Sequence, residues 1–235
     1  ATIAAENVAN IYSVNFQALP KMQATFRYSI FNPNEVPTSN DALRDRSYGI
    51  KLLAIDESKI QPAIAFGVRD LFGTGAWEGE YVVASKKIDN LDVSLGLGWG
   101  RLGSRSGFRN PLRVLSPSLE YRPTGFETGG GELTGQSRGN TFFRGRAAFF
   151  GGIEYRLSSI PIVIKAEYDS DQYEREVFQG TLDSAPTAVN FGLSWSPSPG
   201  VSLKINWLRG DTLGIAFSSQ IEAKQLAPRK YERPK

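Results

Sequence analysis

The side chains able to do chemistry fall in four stretches. Residues 169–176, DSDQYERE, gather Asp169, Asp171, Glu174 and Glu176 around Arg175. Carboxylate oxygens at that density would suit a hard cation; the alternative is a solvated loop. GTGAWEG and LGLGWG hold closely spaced glycines. Neither ends in Lys-Ser or Lys-Thr and neither is followed by a helical pattern, so a nucleotide phosphate loop is not expected. RGD at 209–211 reads as a tight turn rather than an adhesion signal. The fourth stretch, residues 104–140, is rich in Gly and Thr and carries Arg105, Arg109, Arg113 and Arg122 beside Phe108, Tyr121 and Phe126. Guanidinium groups pair with carboxylates and rings stack on sugar faces, so this loop would suit an acidic glycan. The alternative is a mobile surface loop.

Two absences narrow the chemistry further. The 235 residues include no cysteine and no histidine. Disulfides, thiolate metal sites, thiol nucleophiles and Ser-His-Asp arrangements are therefore excluded within this chain. Paired carboxylates or a lysine stay open, but no such constellation stands out. The chain is expected not to be an enzyme and to carry neither metal nor cofactor. A formal net charge of +3, with both signs interspersed, does not argue for a nucleic-acid partner.

The elements that must position these stretches are β-strands. In LDVSLGLGWG, residues 91–100, Leu91, Val93, Leu95, Leu97 and Trp99 alternate with Asp92, Ser94 and three glycines. That is the period of a strand with two unlike faces. The same alternation predicts strands in IYSVNFQAL, MQATFRYSIF, SYGIKLLAI, PAIAFGVRDL, RAAFFGGIEYRL, PIVIKAEYD, AVNFGLSWS, VSLKINWL and TLGIAFSSQ, and more weakly in EYVVASKKI. Eleven strands result, with no convincing helix. Short connections (LPK, DESK, KIDN, SSIP, SPSPG) alternate with longer ones, RGD being the exception. Short turns at one end and long loops at the other mark an antiparallel up-and-down transmembrane β-barrel. A soluble β-sandwich binding module is the alternative.

On this reading the polar face lines a lumen. It would hold Arg27, Lys51, Arg69, Glu80, Lys86, Asp92, Arg146, Glu154, Arg156, Lys165, Glu167 and Lys204, expected as a mutually neutralising network filling a narrow interior, with a transport role as the alternative. The apolar face would meet lipid. Tyr12, Tyr48, Trp99, Tyr155, Tyr168, Trp195 and Trp207 sit mostly near strand ends, as girdles at the two water–lipid boundaries require. The inner glycines serve wall curvature and twist, or the close approach of a loop or another element.

Some boundaries follow. No run of about 18 apolar residues would make a transmembrane helix, and no signal peptide is visible in ATIAAENVAN, so an exported chain would be a mature or truncated form. An odd strand count, with the first strand descending, predicts a further strand upstream of Ala1. Residues 1–222 are then the barrel, and 223–235, basic and Pro-containing, a linker or tail.

Residues 62–105, PAIAFGVRDLFGTGAWEGEYVVASKKIDNLDVSLGLGWGRLGSR, closely resemble the signature of the YjbH-like outer-membrane family of exopolysaccharide and group 4 capsule biosynthesis proteins. YSVNFQALPKMQATFRYS, FFGGIEYRL, IKAEYDSDQYERE and VNFGLSWSPSPGVSLKINWLRGDTLGIAFS support it in matching order, over most of residues 8–220. The resemblance implies a bacterial outer-membrane location and a part in secretion or assembly of an extracellular polysaccharide. It also implies longer proteins, with further domains behind this region. No catalytic residues are carried over. The expected function is a passive conduit or scaffold in exopolysaccharide export. A general diffusion porin and a non-conducting structural barrel of an envelope complex are the alternatives. Expected partners are outer-membrane lipid, an anionic polysaccharide, and other envelope export proteins or further domains of the same protein.

Overall fold

The computed structural model describes residues 2–5, 9–31, 44–72, 77–123, 141–174 and 185–221. The tail 223–235, Phe126, Arg175 and Glu176 lie outside them. Within the described residues, twelve strands form one closed antiparallel barrel: β1 Thr2–Ala5, β2 Ala9–Leu19, β3 Met22–Phe31, β4 Arg44–Ile55, β5 Ala63–Arg69, β6 Gly79–Ile88, β7 Leu91–Gly100, β8 Ala147–Arg156, β9 Ile162–Tyr168, β10 Val189–Ser198, β11 Val201–Leu208 and β12 Thr212–Ser219. Each strand pairs with its sequence neighbours, and β1 closes the ring against β12 from Thr2↔Ser218 to Ala5↔Ile215. Closure pairs each strand on both sides, as hydrocarbon requires of backbone groups, although the short β1 covers only Asn10–Ser13 of β2 and Ile215–Ser218 of β12.

Thr2–Ala5 is a twelfth strand that alternation does not predict, and it makes the count of described strands even. TIAA is too short and too weakly contrasted to show a period of two. The other eleven strands fall where alternation predicts them. The turns at one end are tight. The β6–β7 turn places Asp89 at φ 52°, and the β10–β11 turn uses Gly200 at φ 77°, the left-handed backbone that two-residue hairpin loops need. At the same end, Glu57 accepts hydrogen bonds from Lys86 Nζ and from the Lys87 amide, both at 3.0 Å. The Lys87 amide first, and the Lys86 ammonium next, hold its carboxyl below the usual range.

The two faces separate as a lipid-embedded wall requires. Leu95 is 59% exposed, and Phe16, Phe149, Ile164, Leu203, Ile215 and Phe217 are likewise open on the outside. Water would penalise so continuous an apolar band; lipid does not. Tyr12, Tyr48, Tyr168 and Trp207 stand outside near the long-loop end, and Tyr155 and Trp195 near the short-turn end. Tyr48 packs on Phe26 with ring centroids 5.3 Å apart.

Trp99 departs from this girdle. It has the outward phase but is only 2% exposed, because the chain after β7 folds back over it. Three 3-10 turns, Arg101–Gly103, Pro111–Val114 and Pro117–Glu120, lead into a shoulder against the upper outer face of β6–β8. Trp99 Nε1 donates to Asn110 Oδ1 at 3.1 Å, and Asn110 Nδ2 donates to the carbonyls of Leu119 and Phe143. The Phe143 ring meets the indole edge-on at 5.2 Å.

Glu80 and Lys86 also depart, from the lumen. Along β6, Tyr81, Val83 and Ser85 line the inner cavity, so Glu80 and Lys86 face outward. Glu80 sits opposite Trp99 under the shoulder, and Lys86 reaches the β4–β5 turn. The sequence EYVVASKKI is apolar on both faces, so its phase is poorly marked, and a slip of one residue exchanges the faces.

Candidate functional site in the barrel lumen

The interior holds a cavity of about 630 Å³ bordered by residues of β2–β11 and the long-loop end. Its wall explains the glycines of β5 and β7. A Cβ at Gly96 would stand 2.2 Å from Phe150 Cζ, and one at Gly67 would stand 2.1 Å from Tyr81 Cζ. Each ring therefore lies against a bare stretch of the neighbouring strand, and the two rings meet edge-on at 6.0 Å. Aromatic cover over a strand glycine shields the backbone and pins the register. Gly98 leaves room for Leu102 instead, whose Cβ would be 2.4 Å from an added Cβ. The inner glycines thus admit both wall rings and the incoming chain.

Charges inside are partly neutralised. Lys165 Nζ lies 2.6 Å from Glu154 Oε1, and Asn190 Nδ2 donates to Glu167 at 2.9 Å. Asp92 also borders the cavity. Lys204 has the inward phase of β11, and Arg156 ends β8 near the short turns. Arg146, just before β8, donates to the Gly107 carbonyl. Lys51 on β4 and Arg69 on β5 border the cavity, and neither side chain makes an ion pair or hydrogen bond among the described residues.

The mouth is crossed by a ladder that alternates guanidinium groups and rings. Arg27 of β3 lies over the Trp77 ring at 4.0 Å, and Arg101 lies over the same indole at 4.5 Å. Arg101 also approaches the Tyr173 ring at 5.7 Å, and Arg209 lies over Tyr173 at 4.9 Å. Arg101 Nε is fixed by Asp171 Oδ2 at 2.7 Å. Tyr173 donates to Asp169 Oδ2 at 2.6 Å, and the Tyr173 amide donates to Asp171. Desolvated cation–π contacts contribute up to roughly 2 kcal/mol each. Five elements are thereby tied across the opening. Burial first, and the Asp169 carboxylate next, push the Tyr173 phenol well above its ordinary range.

The four stretches singled out in the sequence fare differently. Asp169 and Asp171 spend their oxygens on N–H and O–H donors and on Arg101, and Ser170 and Asp171 are buried rather than solvated. RGD makes the tight turn, with Arg209 at φ 59° and Gly210 at φ 88°; Arg209 is only 4% exposed. In the long loop, Arg105 donates to the carbonyls of Asp171 and Ala185. Arg109 and Arg113 share Glu120 at 2.8 and 3.7 Å. Phe108 packs on Phe149 at 5.3 Å, and Tyr121 is exposed.

Arg122 is buried against Glu80, with a 2.9 Å bond to each carboxylate oxygen, and against Glu78 at 2.6 Å. Burial alone would lower its pKa; the two carboxylates outweigh that and raise it. The acidic-glycan expectation for this loop therefore rests on Arg109, Arg113 and Tyr121, since Arg105 and Arg122 are committed to internal contacts.

Trp77, Arg101, Tyr173 and Arg209 were not expected as one site. Each lies in or beside a stretch marked for another reason: GTGAWEG, LGLGWG, DSDQYERE and RGD. The available signal was positional. Each is a bulky or cationic residue just past the long-loop end of a strand, where a side chain can turn over the opening.

A closed barrel with an exposed apolar belt, aromatic side chains near both boundaries and a polar lumen is an outer-membrane β-barrel. The KdgM porin shares the fold, with a TM-score of 0.50 and 9% identity, covering 94% of this chain and 97% of that one. The same holds for the KdgM porin in complex with disordered oligogalacturonate, at TM-score 0.50 and 8% identity over the same shares. The chain belongs to the YjbH family, described as exopolysaccharide biosynthesis protein YbjH, whose model matches residues 1–235. It is 30% identical over 222 residues to the uncharacterized lipoprotein YjbH of Escherichia coli strain K12. That match covers 92% of this chain and 31% of the relative, so the chain spans under a third of that protein's length.

Proposed function

We propose that this barrel is a passive conduit that guides an extracellular polysaccharide across the outer membrane. It performs no catalytic step, and energy is supplied elsewhere in the envelope. The observation that carries the reading is the roughly 630 Å³ cavity, lined by charged side chains and rings, inside a closed barrel, in a chain of an exopolysaccharide biosynthesis family. A fold relative bound to an acidic oligosaccharide supports it further. Wall charges and flat rings offer transient contacts to hydroxyl groups and sugar faces, which suits movement along a surface better than tight capture. Partners in this role are outer-membrane lipid, the polysaccharide, and envelope export proteins or further domains of a longer protein.

The test is surface polysaccharide in the source strain after deletion of the gene. The reading predicts loss from the surface with retention in the periplasm, restored by the full gene but not by a copy whose lumen is blocked with bulky side chains. Unchanged surface polysaccharide would overturn it. The ladder across the mouth favours a second reading, a scaffold barrel that conducts nothing. That reading predicts full rescue by the blocked-lumen copy.

A further inference from the structure

Resting on the conduit reading, we propose that Lys51 and Arg69, together with the Tyr81 ring, form a binding bay for an acid-bearing sugar residue. Lys51 is in register with Gly67 of β5, and Gly67 with Tyr81 of β6. The Tyr81 ring reaches over Gly67 toward the Lys51 strand. Arg69 is in register with Gly79, on the mouth side of the same strand. All three border the cavity. Beside them Gly49 has no side chain, so the floor there is the Val68 carbonyl and the Thr25 side chain.

The charge balance points to an anion. Most lumen carboxylates elsewhere have partners, Glu154 with Lys165, Glu167 with Asn190, Asp171 with Arg101 and Asp169 with Tyr173, and Asp92 of β7 stands in register with Lys87 near the short turns. The acid on β4, Asp45, is buried at the far upper end, in register with Ser29. Below it the lumen-facing positions of β4, of β5 and of β6 as far as Ser85 bring two cations and no carboxylate; Lys87, at the short-turn end of β6, stands opposite Asp92. Two like charges on neighbouring strands repel, and low-dielectric walls focus the field they create. A carboxylate between them relieves that repulsion, while the adjacent ring face meets the C–H face of the sugar. Lys offers a point charge and Arg a planar fork, so one can follow a moving acid while the other aligns it.

The test is binding of trigalacturonic acid to the purified, detergent-folded chain by calorimetry, with maltotriose as the neutral trimer of matched length. The acidic trimer is expected to bind and the neutral one to bind at least about tenfold more weakly. The K51Q/R69Q double variant should weaken the acid by at least about tenfold per cation removed, and raised salt should weaken it too. K21Q/K86Q removes the same charge from outside the lumen and controls for net charge; the heat-dependent gel shift of the folded barrel controls for folding.

Equal binding of both trimers, no binding of either, or an unchanged acid affinity in a folded K51Q/R69Q barrel would overturn the bay. Acid binding lost in that variant, in a protein whose deletion leaves surface polysaccharide intact, upholds the bay and overturns the conduit. Intact polysaccharide export with no discrimination between trimers does the reverse.

Discussion

At the scale of single residues, the shoulder depends on one buried network. Glu80 is fully buried, and its carboxylate is held by both terminal nitrogens of Arg122 and by the Phe143 amide at 2.8 Å. Removing the guanidinium leaves that carboxylate buried and uncompensated, which costs about 3–5 kcal/mol. Arg122→Ala is therefore expected to release residues 141–146 from β6 and to expose Trp99. Limited trypsin cleavage and a red shift of the Trp99 fluorescence would report it; unchanged protection would contradict it. Tyr173 supplies a pH dependence of definite sign. Its phenol pKa is raised by folding, so its contribution is complete below the ordinary tyrosine range and is lost as pH rises through the folded value. An alkaline absorbance titration should show a late-ionising phenol that Tyr173→Phe removes. A variant whose late-ionising absorbance is undiminished would refute the account.

At the scale of elements, what was legible depended on contrast between faces. LDVSLGLGWG declares its phase because lipid selects one side and the lumen the other, and Leu95 and Leu97 obey it. Trp99 has the same phase and a different fate, because alternation cannot report a loop that folds back over the wall. EYVVASKKI, with Val82, Val83 and Ala84 in a row, carried too little contrast to place Glu80 and Lys86. The glycines of β7 were open to two readings, and the wall makes them separable. Gly98→Ala drives a Cβ to 2.4 Å from the Leu102 Cβ and 3.1 Å from its carbonyl oxygen, neither of which can swing away. It should cost about 1–3 kcal/mol. Gly96→Ala meets the tip of the Phe150 ring, which can rotate into the cavity, so its cost is smaller. Midpoints of the heat-dependent gel shift should fall further for Gly98→Ala than for Gly96→Ala; the opposite order would contradict the close-approach account.

At the scale of the whole molecule, barrel closure and the lumen are separate achievements. Closure follows from alternation and turn lengths, both local in sequence, so the architecture is legible in the chain itself. The ladder is not local. Arg27, Trp77, Arg101, Tyr173 and Arg209 come from five elements, and only closure of the ring brings them over one opening. No spacing in the chain announces it. The same distance separates the paired lumen charges from Lys51 and Arg69, whose lack of counterions emerges only when all the inner faces are seen together. On the conduit reading, the ladder lies across the opening, so removing its rings is expected to raise the current that the barrel carries.

Ion current through the purified chain in a planar bilayer tests that claim most directly. The conduit account predicts discrete conductance steps for the wild-type barrel and larger steps once Trp77→Ala and Tyr173→Ala take both rings out of the ladder. A folded, inserted barrel that passes no current in either form would contradict it and leave a scaffold in its place.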